Sequence, residues 1–432
     1  MIRRFLAAVV AVASLAVPGL ADDAVPARFF IERIEVRNAH RVSPEIVISE
    51  TLLREGTEYS EEELHAASLR LSRLPYILSA EFSLAKGSDR GRHILVITIA
   101  ETKPFFYLVD TRPILHDRTT QAFVDYADYL GAESNEAAIG YRGFIGRRGV
   151  VHVGVTSRRD QQIFTTDYSA IAAGYTRYDI FGTHAFATFN LRQPFGTTAS
   201  GALSPQLVVG IPLTLNQTLT LDLDATRFER STQRVAGPTC CTEIQRQDGE
   251  RLVTATWTYN TTNQPFVPTN GTIVRIAPVW SKRDRSSYSF AYRTSPFEPP
   301  SAFAQHINGY GIDVSWSRYW ELSDLHSISA GVQTGWASVN DRVSIATPVK
   351  IDSDPTYAIF QGSYSYNLWH GSTRNGDSRL ELSARYVTRR RAPIREISPF
   401  SQRENVDQAA VSWVRRSSWG TLRLGLGYTW ER

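Results

Sequence analysis

Residues 421–430 read Thr-Leu-Arg-Leu-Gly-Leu-Gly-Tyr-Thr-Trp and alternate between two kinds of side chain. In an extended strand, one face carries three leucines followed by Tyr428 and Trp430, while the other carries Thr, Arg and Gly. Because successive side chains of a strand point to opposite faces, this period of two predicts a β-strand with one apolar face. Aromatic residues that end the apolar face are typical of strands crossing a membrane interface.

The same alternation recurs along most of the chain after Thr102. It is clear in Leu219–Asp224, Val253–Tyr259, Tyr310–Trp316, Ile328–Trp336 and Leu380–Tyr386. A soluble β-sandwich also alternates, but here the apolar face often ends in Trp or Tyr. No stretch after the N-terminus approaches the ~18 uninterrupted apolar residues of a membrane helix. We therefore expect a mainly β fold, in which residues 103–432 form a transmembrane antiparallel barrel of about 16 strands.

The polar face of these strands should line the barrel interior. Polar stretches at 228–250, 281–306 and 339–355 are expected to be extracellular loops. Charged side chains on the inward face would set ion preference in a channel, although paired packing within the lumen is the simpler interpretation. The lumen candidates are Asp313, Glu381, Arg385 and Arg423.

The N-terminus has the pattern of a cleaved secretory signal peptide. Arg3 and Arg4 precede an apolar run from Phe5 to Val17, which is too short to span a bilayer as a helix. Small residues at 19–21 fit a cleavage site, so residues 1–21 are expected to be removed. The alternative is an N-terminal anchor, but two aspartates end the apolar run.

Residues 28–101 predict a small α+β domain with the order β-α-α-β-β. Phe30 to Val36 alternates at period two, and Ser43-Pro44 has the form of a helix start. Ser60-Glu61-Glu62-Glu63 is a capping box for a second helix, which Pro75 ends. Two strands, 77–85 and 93–100, complete the domain.

These elements resemble a POTRA domain, and one such unit before a large barrel resembles the outer-membrane protein assembly superfamily of BamA, TamA and two-partner-secretion transporters. The segment Tyr259–Gly271 is similar to a family strand–turn–strand segment ending in Pro-Thr-x-Gly. In this segment Pro268 and Gly271 suit a tight periplasmic turn. Tyr141-Arg142-Gly143-Phe144 is similar to a family loop motif. Its early position instead favours a strand that turns through residues 146–149.

The resemblance implies a protein of the cell outer membrane, with its POTRA domain in the periplasm. It would bind unfolded outer-membrane or secreted clients and insert or export them. The implied client-binding edge strand comprises Ile77, Leu78, Ser79, Ala80, Glu81, Phe82, Ser83, Leu84 and Ala85. A proline at Ser83 is expected to remove one of its donors. The implied C-terminal insertion signal comprises Arg423, Gly425, Tyr428 and Trp430.

Other functions find less support in the sequence. A passive channel or surface structural barrel is the main alternative to assembly. We find no Gly-x-Ser-x-Gly or His-Glu-x-x-His motif, so we expect no enzyme activity, metal or cofactor. The small formal charge of +4 and the lack of a basic, aromatic face argue against nucleic acid. The adjacent Cys240 and Cys241 could form a strained disulfide, link to another chain or remain free thiols.

Overall fold

The computed structural model describes residues 27–111, 114–116, 135–159, 168–195, 200–201, 203–237, 240–264, 268–292, 301–344, 349–353, 356–370, 377–390 and 403–431. The expected signal peptide, 1–21, lies outside this part of the chain. Among the described residues, neither helix is long and apolar enough to cross a membrane.

The N-terminal domain is a four-stranded sheet with two helices. Its elements are β1 (Arg28–Arg37), α1 (Pro44–Thr51), β2 (Thr57–Ser60), α2 (Glu61–Ser72), β3 (Ile77–Lys86) and β4 (Arg92–Glu101). The strand order is β2-β1-β4-β3, and β1 runs parallel to β4. The short strand β2 was not expected from the sequence. It forms because Arg28–Ile31 of β1 pairs with Thr57–Ser60 just before the second helix.

The two helix starts follow the expected chemistry. The Ser43 hydroxyl accepts from the Glu45 amide, and Pro44 occupies the first turn. At α2, the Ser60 hydroxyl accepts from the Glu63 amide at 3.2 Å, while the Glu63 carboxylate accepts from the Ser60 amide at 2.7 Å. Both helices bury apolar faces on the sheet, in a core that includes Ile46, Leu71 and Ile97.

The rest of the chain forms a closed barrel. Its strands are β5 (Phe105–Thr111), β6 (Ile114–His116), β7 (Asn135–Ile145), β8 (Gly149–Arg159), β9 (Tyr168–Arg177), β10 (Phe186–Phe195), β11 (Ser200–Gly201), β12 (Ser204–Thr214), β13 (Gln217–Gly237), β14 (Cys240–Asn260), β15 (Gly271–Tyr292), β16 (Ser301–Ser323), β17 (His326–Ser344), β18 (Val349–Ser353), β19 (Thr356–His370), β20 (Asp377–Arg390), β21 (Arg403–Ser417) and β22 (Gly420–Glu431).

In three cases, two consecutive segments are parts of one barrel strand. β5 and β6 both pair with β22, β11 and β12 both pair with β13, and β18 and β19 both pair with β17. The barrel therefore has 15 strands, close to the expected 16 but odd in number. Neighbours are antiparallel except at the closure, where β22 runs parallel to β5 and β6.

The barrel carries its apolar residues on the outside. Leu219, Leu221 and Leu223 remain 41%, 41% and 38% exposed on β13, and Leu424 and Leu426 are similarly exposed on β22. The alternating polar residues therefore face the lumen. An outward apolar face on a closed barrel, whose backbone groups are paired strand to strand, suits a lipid environment.

The two ends of the barrel differ. One end, which we call the turn end, carries the tight turns 146–148, 215–216, 324–325 and 418–419 and contacts the N-terminal domain. At the opposite far end, the expectation of long loops needs correction. Residues 228–250, 281–306 and 339–355 lie largely within strands, because the ladders of β13–β18 continue past the apolar band; for example, Gly237 still pairs with Cys240.

Candidate functional site

The strand implied to bind clients, β3, is an edge of the domain sheet. It pairs with β4 on one side, and no described strand pairs with the other. Its two halves differ in burial. Ile77, Leu78 and Ala80 are buried and Ser79 and Phe82 are half-buried, whereas Glu81, Ser83, Leu84 and Ala85 are exposed.

The hydrogen bonds show which backbone groups of β3 face outward. The Gly87 amide donates to the Arg92 carbonyl at 2.9 Å, so residues an even number of positions before Gly87 also direct their backbone N–H and C=O groups toward β4. The backbone groups of Ser83 and Ala85 therefore face β4, whereas those of Phe82 and Leu84 face the free edge. In agreement, the outward carbonyl of Ala80 accepts from the Ser68 hydroxyl at 2.7 Å.

This direction corrects the role expected for Ser83. Its amide belongs to the ladder with β4, so a proline there would break the domain sheet rather than block the free edge. The half of this edge that begins at Ile77, beside the barrel, already has other hydrogen-bond partners. Ser68 binds the Ala80 carbonyl, and Arg416 of the barrel donates to the Ile77 carbonyl at 3.4 Å. Only the backbone from Phe82 to Lys86 is open to a further strand.

The N-terminal domain packs on the turn end through a shared apolar core. Tyr76 is buried to 2% exposure, and its ring meets Phe144 and Tyr178 of the barrel edge-on, at centroid distances of 5.5 and 6.1 Å. Phe186 and Leu215 pack against the same cluster. The core of the domain thus continues into the barrel, which fixes the domain against the lumen opening.

Polar contacts surround this core at widely spaced strands. They are Arg142 Nη1 to the Pro75 carbonyl at 2.9 Å, His184 Nδ1 to the Ser49 carbonyl at 3.0 Å, Arg73 Nε to the Thr262 carbonyl at 3.0 Å, Arg70 Nη1 to Thr218 Oγ1 at 3.4 Å and the Lys103 amide to the Ser418 carbonyl at 2.6 Å. Because the barrel partners come from β7, the β9–β10 connection, β13, the β14–β15 turn and the β21–β22 turn, the domain lies across the opening.

The junction also buries charge. Glu50 is 3% exposed and pairs with Arg70 at 3.3 Å. Burial raises the pKa of the Glu50 carboxyl above its usual value despite this partner. Burial and the neighbouring Arg70 lower the pKa of Arg73 to about 10. Because Glu50 and Arg70 lie on the two helices of the domain, losing either partner would leave a buried charge uncompensated within the domain.

The turn between β14 and β15 is described at residues 261–264 and 268–270, and these residues reach inward beneath the lumen. The Gln264 amide donates to Asp377 at the start of β20 at 3.0 Å, and Thr269 contacts Glu321 of β16 at 3.5 Å. The chain reverses direction at Gly271. The φ of 108° and the close approach of Thr261 and Thr262 leave no room for a side chain at this position. The expected turn is present, and it bridges the opening rather than simply joining two strands.

The Arg142 segment lies where its early position indicated. It belongs to β7 and turns through 146–148 into β8, which confirms the simpler interpretation. Arg142 lies over the Phe106 ring at 4.6 Å and reaches Pro75 of the domain. It holds the junction at the turn end rather than a late loop.

The lumen candidates occupy the inward faces of their strands. Glu381 and Arg423 form an ion pair at 3.3 Å, as the paired-packing interpretation expects. Asp313 and Arg385 alternate with outward Tyr310 and Leu382, so they also face inward. Among the described residues, no group of His, Cys, Asp or Glu could hold a metal ion.

The residues of the implied insertion signal all lie on β22. Arg423 and Gly425 alternate with outward Leu424 and Leu426, whereas Tyr428 is 44% exposed on the outer face. The side chain of Trp430 lies outside the described part of the chain. β22 also closes the barrel, because Gly420–Leu424 pairs with Tyr107–Thr111. No residue pattern in the sequence predicts this parallel seam.

Comparisons with known proteins were made by sequence and by structure. No family model matches the chain. No curated protein matches it either. The matching solved structures include BamA from Haemophilus ducreyi lacking POTRA domains 1–3, which is 11% identical with a TM-score of 0.41 over 93% of this chain and 85% of that one.

Two further matches are more distant in sequence. CdiB from Escherichia coli is 9% identical with a TM-score of 0.40, over 96% of this chain and 90% of that one. The ferric citrate transporter FecA in its unliganded form is 7% identical with a TM-score of 0.38, over 80% and 62%. The architecture expected from the sequence is confirmed by this chain's own structure: a closed β-barrel that follows one small α+β domain.

Proposed function

We propose that this protein is an outer-membrane assembly or translocation factor that captures extended client polypeptide at the open edge of β3. The observation that carries the proposal is the free backbone from Phe82 to Lys86, on a domain whose core continues into the barrel. An added client strand would gain main-chain hydrogen bonds independent of its sequence. The role needs no catalytic residue.

The position of the edge supports delivery to the barrel. β3 begins at Ile77, whose carbonyl contacts Arg416 of β21, and it points away from the barrel toward its exposed end at Lys86. The rest of a client captured at this open half of the edge could then run toward the barrel at Arg416. The outward leucines support a position in lipid, and the expected signal peptide would direct the chain to the outer membrane with the domain in the periplasm.

A passive channel has less support. Such a channel needs an open lumen, whereas the N-terminal domain and the described residues of the β14–β15 turn lie across the turn end. Contacts such as Arg73 to Thr262 would have to break before solutes could pass. We therefore favour a role in which the domain moves or hands over a client.

The test is binding of a labelled peptide with the sequence of residues 421–430, which represents an unfolded barrel strand. Leu84→Pro removes an outward amide and should weaken binding by roughly tenfold or more, because edge pairing is blocked. Leu84→Thr keeps the amide and serves as the matched control. Ser83→Pro should instead destabilise the domain. Equal binding by wild type and a folded Leu84→Pro variant would reject strand capture.

A further inference from the structure

The lumen contains a cavity of about 180 Å³ above the inward turn. Pro268 of that turn forms part of its lining, and the walls come from β16, β17, β19, β20 and β22. The cavity exists because small inward side chains are concentrated there. On the opposite wall the inward positions hold larger residues, such as His152, Asn190 and Arg192.

The lining is arranged in two registered rows of polar side chains. In the first row, Tyr319, Ser329, Ser363 and Ser383 are direct cross-strand neighbours on four successive strands. In the second row, Ser327 is opposite Ser365, which is opposite Glu381. Outward Ile328, Tyr364 and Leu382 separate the rows, so both rows face the cavity.

Two serines of the second row are buried at the cavity wall. Ser327 and Ser365 are 5% and 6% exposed, and both line the cavity. Ser329 and Ser363 bond each other at 2.7 Å. Buried hydroxyls ordinarily find a partner, so Ser327 and Ser365 are suited to bind a ligand in the cavity.

The charge of the lining restricts the ligand. Glu381 and Arg423 are paired at 3.3 Å, and the other lining residues are neutral, so the cavity has no net charge. A free anion or cation would gain little there. A neutral molecule rich in hydroxyl groups would bond the serines, accept from Arg423, donate to Glu381 and lay an apolar face on the Tyr319 ring.

We propose that this cavity binds a single neutral sugar ring or similar polyol. The inference is independent of client capture, because it concerns the lumen wall and not the N-terminal domain. Ser327, Ser365 and Glu381 are the recognition residues, and Tyr319 provides the stacking surface. Pro268 places the ligand on the inward turn, whose Thr262 carbonyl holds Arg73 of the domain at 3.0 Å.

The experiment is ligand-observed saturation-transfer NMR on the full chain in amine-oxide micelles, which carry no sugar headgroup. The probes are glucose, glycine and inorganic phosphate. Glucose should bind saturably, and the other two should not. The double variant Ser327→Ala with Ser365→Ala should weaken glucose binding by roughly tenfold, because two hydrogen bonds are lost. Ser281→Ala with Ser315→Ala is the matched control, since these serines lie on the inward faces of β15 and β16 and outside the cavity lining.

The site is supported if glucose binding is lost in Ser327→Ala with Ser365→Ala and kept in the control pair. A similar loss of glucose binding in Glu381→Gln also supports it. Absence of saturable glucose binding, equal binding by both serine pairs, or tighter binding of glycine or phosphate would overturn it. Heat-modifiable migration of each variant shows that the barrel is folded.

Discussion

Gly420 is the register partner of Tyr107 in the parallel seam that closes the barrel. A Cβ at Gly420 would overlap the carbonyl oxygen of Tyr107, and its φ of 149° is one that side-chain-bearing residues rarely adopt. The Tyr107 amide donates to the neighbouring Trp419 carbonyl at 2.9 Å. The last strand therefore meets the first in the same direction, which an odd strand number requires.

Gly420→Ala should prevent stable closure, because the seam backbone cannot separate without losing the Trp419–Tyr107 bond. We expect a sharp fall in the heat-modifiable form, measured by comparing boiled and unboiled samples on a gel. Gly362→Ala is the control, since the nearest contact of its Cβ is an ordinary 3.5 Å. Normal folding of Gly420→Ala would mean that the seam is not paired as described.

The junction should respond to pH through Glu50. Its pKa is raised in the folded state by burial, so above the usual 4.5 the folded protein holds a proton that the unfolded chain releases. Stability contributed by this group is therefore present at low pH and lost as pH rises toward the raised pKa. Thermal unfolding of the full chain from about pH 4 to about pH 7 should show this decline. Glu50→Gln should flatten it, and an unchanged slope in that variant would contradict the assignment.

Tyr76 should control closure of the turn end. Replacing it with alanine removes the ring that contacts Phe144 and Tyr178, at a cost of about 3 kcal/mol for a buried aromatic residue. The domain should then release more often, and single-channel recordings in planar bilayers should show more frequent openings. Tyr59→Ala, in the same domain but on β2, is the control. Wild-type conductance in Tyr76→Ala would show that the domain does not obstruct the lumen.

Changing both Tyr428 and Trp430 to Ser should lower the amount of folded barrel if the last strand carries an insertion signal. Tyr428 also lies on the outer face, so a loss of general interfacial anchoring must be separated from a loss of the signal. Tyr364→Ser with Tyr366→Ser removes two outward aromatics from β19 and provides this comparison. Equal losses in both pairs would argue for anchoring alone.

The strands and helices that depend on local periodicity or local capping can be predicted from the sequence. Alternation marked strands such as β13 and β22, and the Ser60–Glu63 capping box marked α2. The short β2 was missed because four residues carry little periodic signal. The backbone direction at Ser83 depends on the register set by Gly87 and Arg92, which no residue pattern encodes.

The junction and the seam were harder to foresee for a different reason. Tyr76 and Tyr178 are ordinary aromatic residues in the sequence, and their contact joins segments about a hundred positions apart. Whether the number of barrel strands is odd or even depends in part on whether β5 and β6 count as one strand or two. Their shared pairing with β22 shows that they are one strand.

The described strands between Phe105 and Glu431 form one closed barrel of 15 strands, with the N-terminal domain at one end and the end of β22 at the other. The most direct test is antibody labelling of an epitope placed after Arg432, in intact and in permeabilised cells. A second epitope between Ser88 and Asp89, in the β3–β4 turn, serves as the control. We expect the C-terminal epitope to be labelled on intact cells and the domain epitope only after permeabilisation. Labelling of both epitopes only after permeabilisation would place both barrel ends on one side and contradict it.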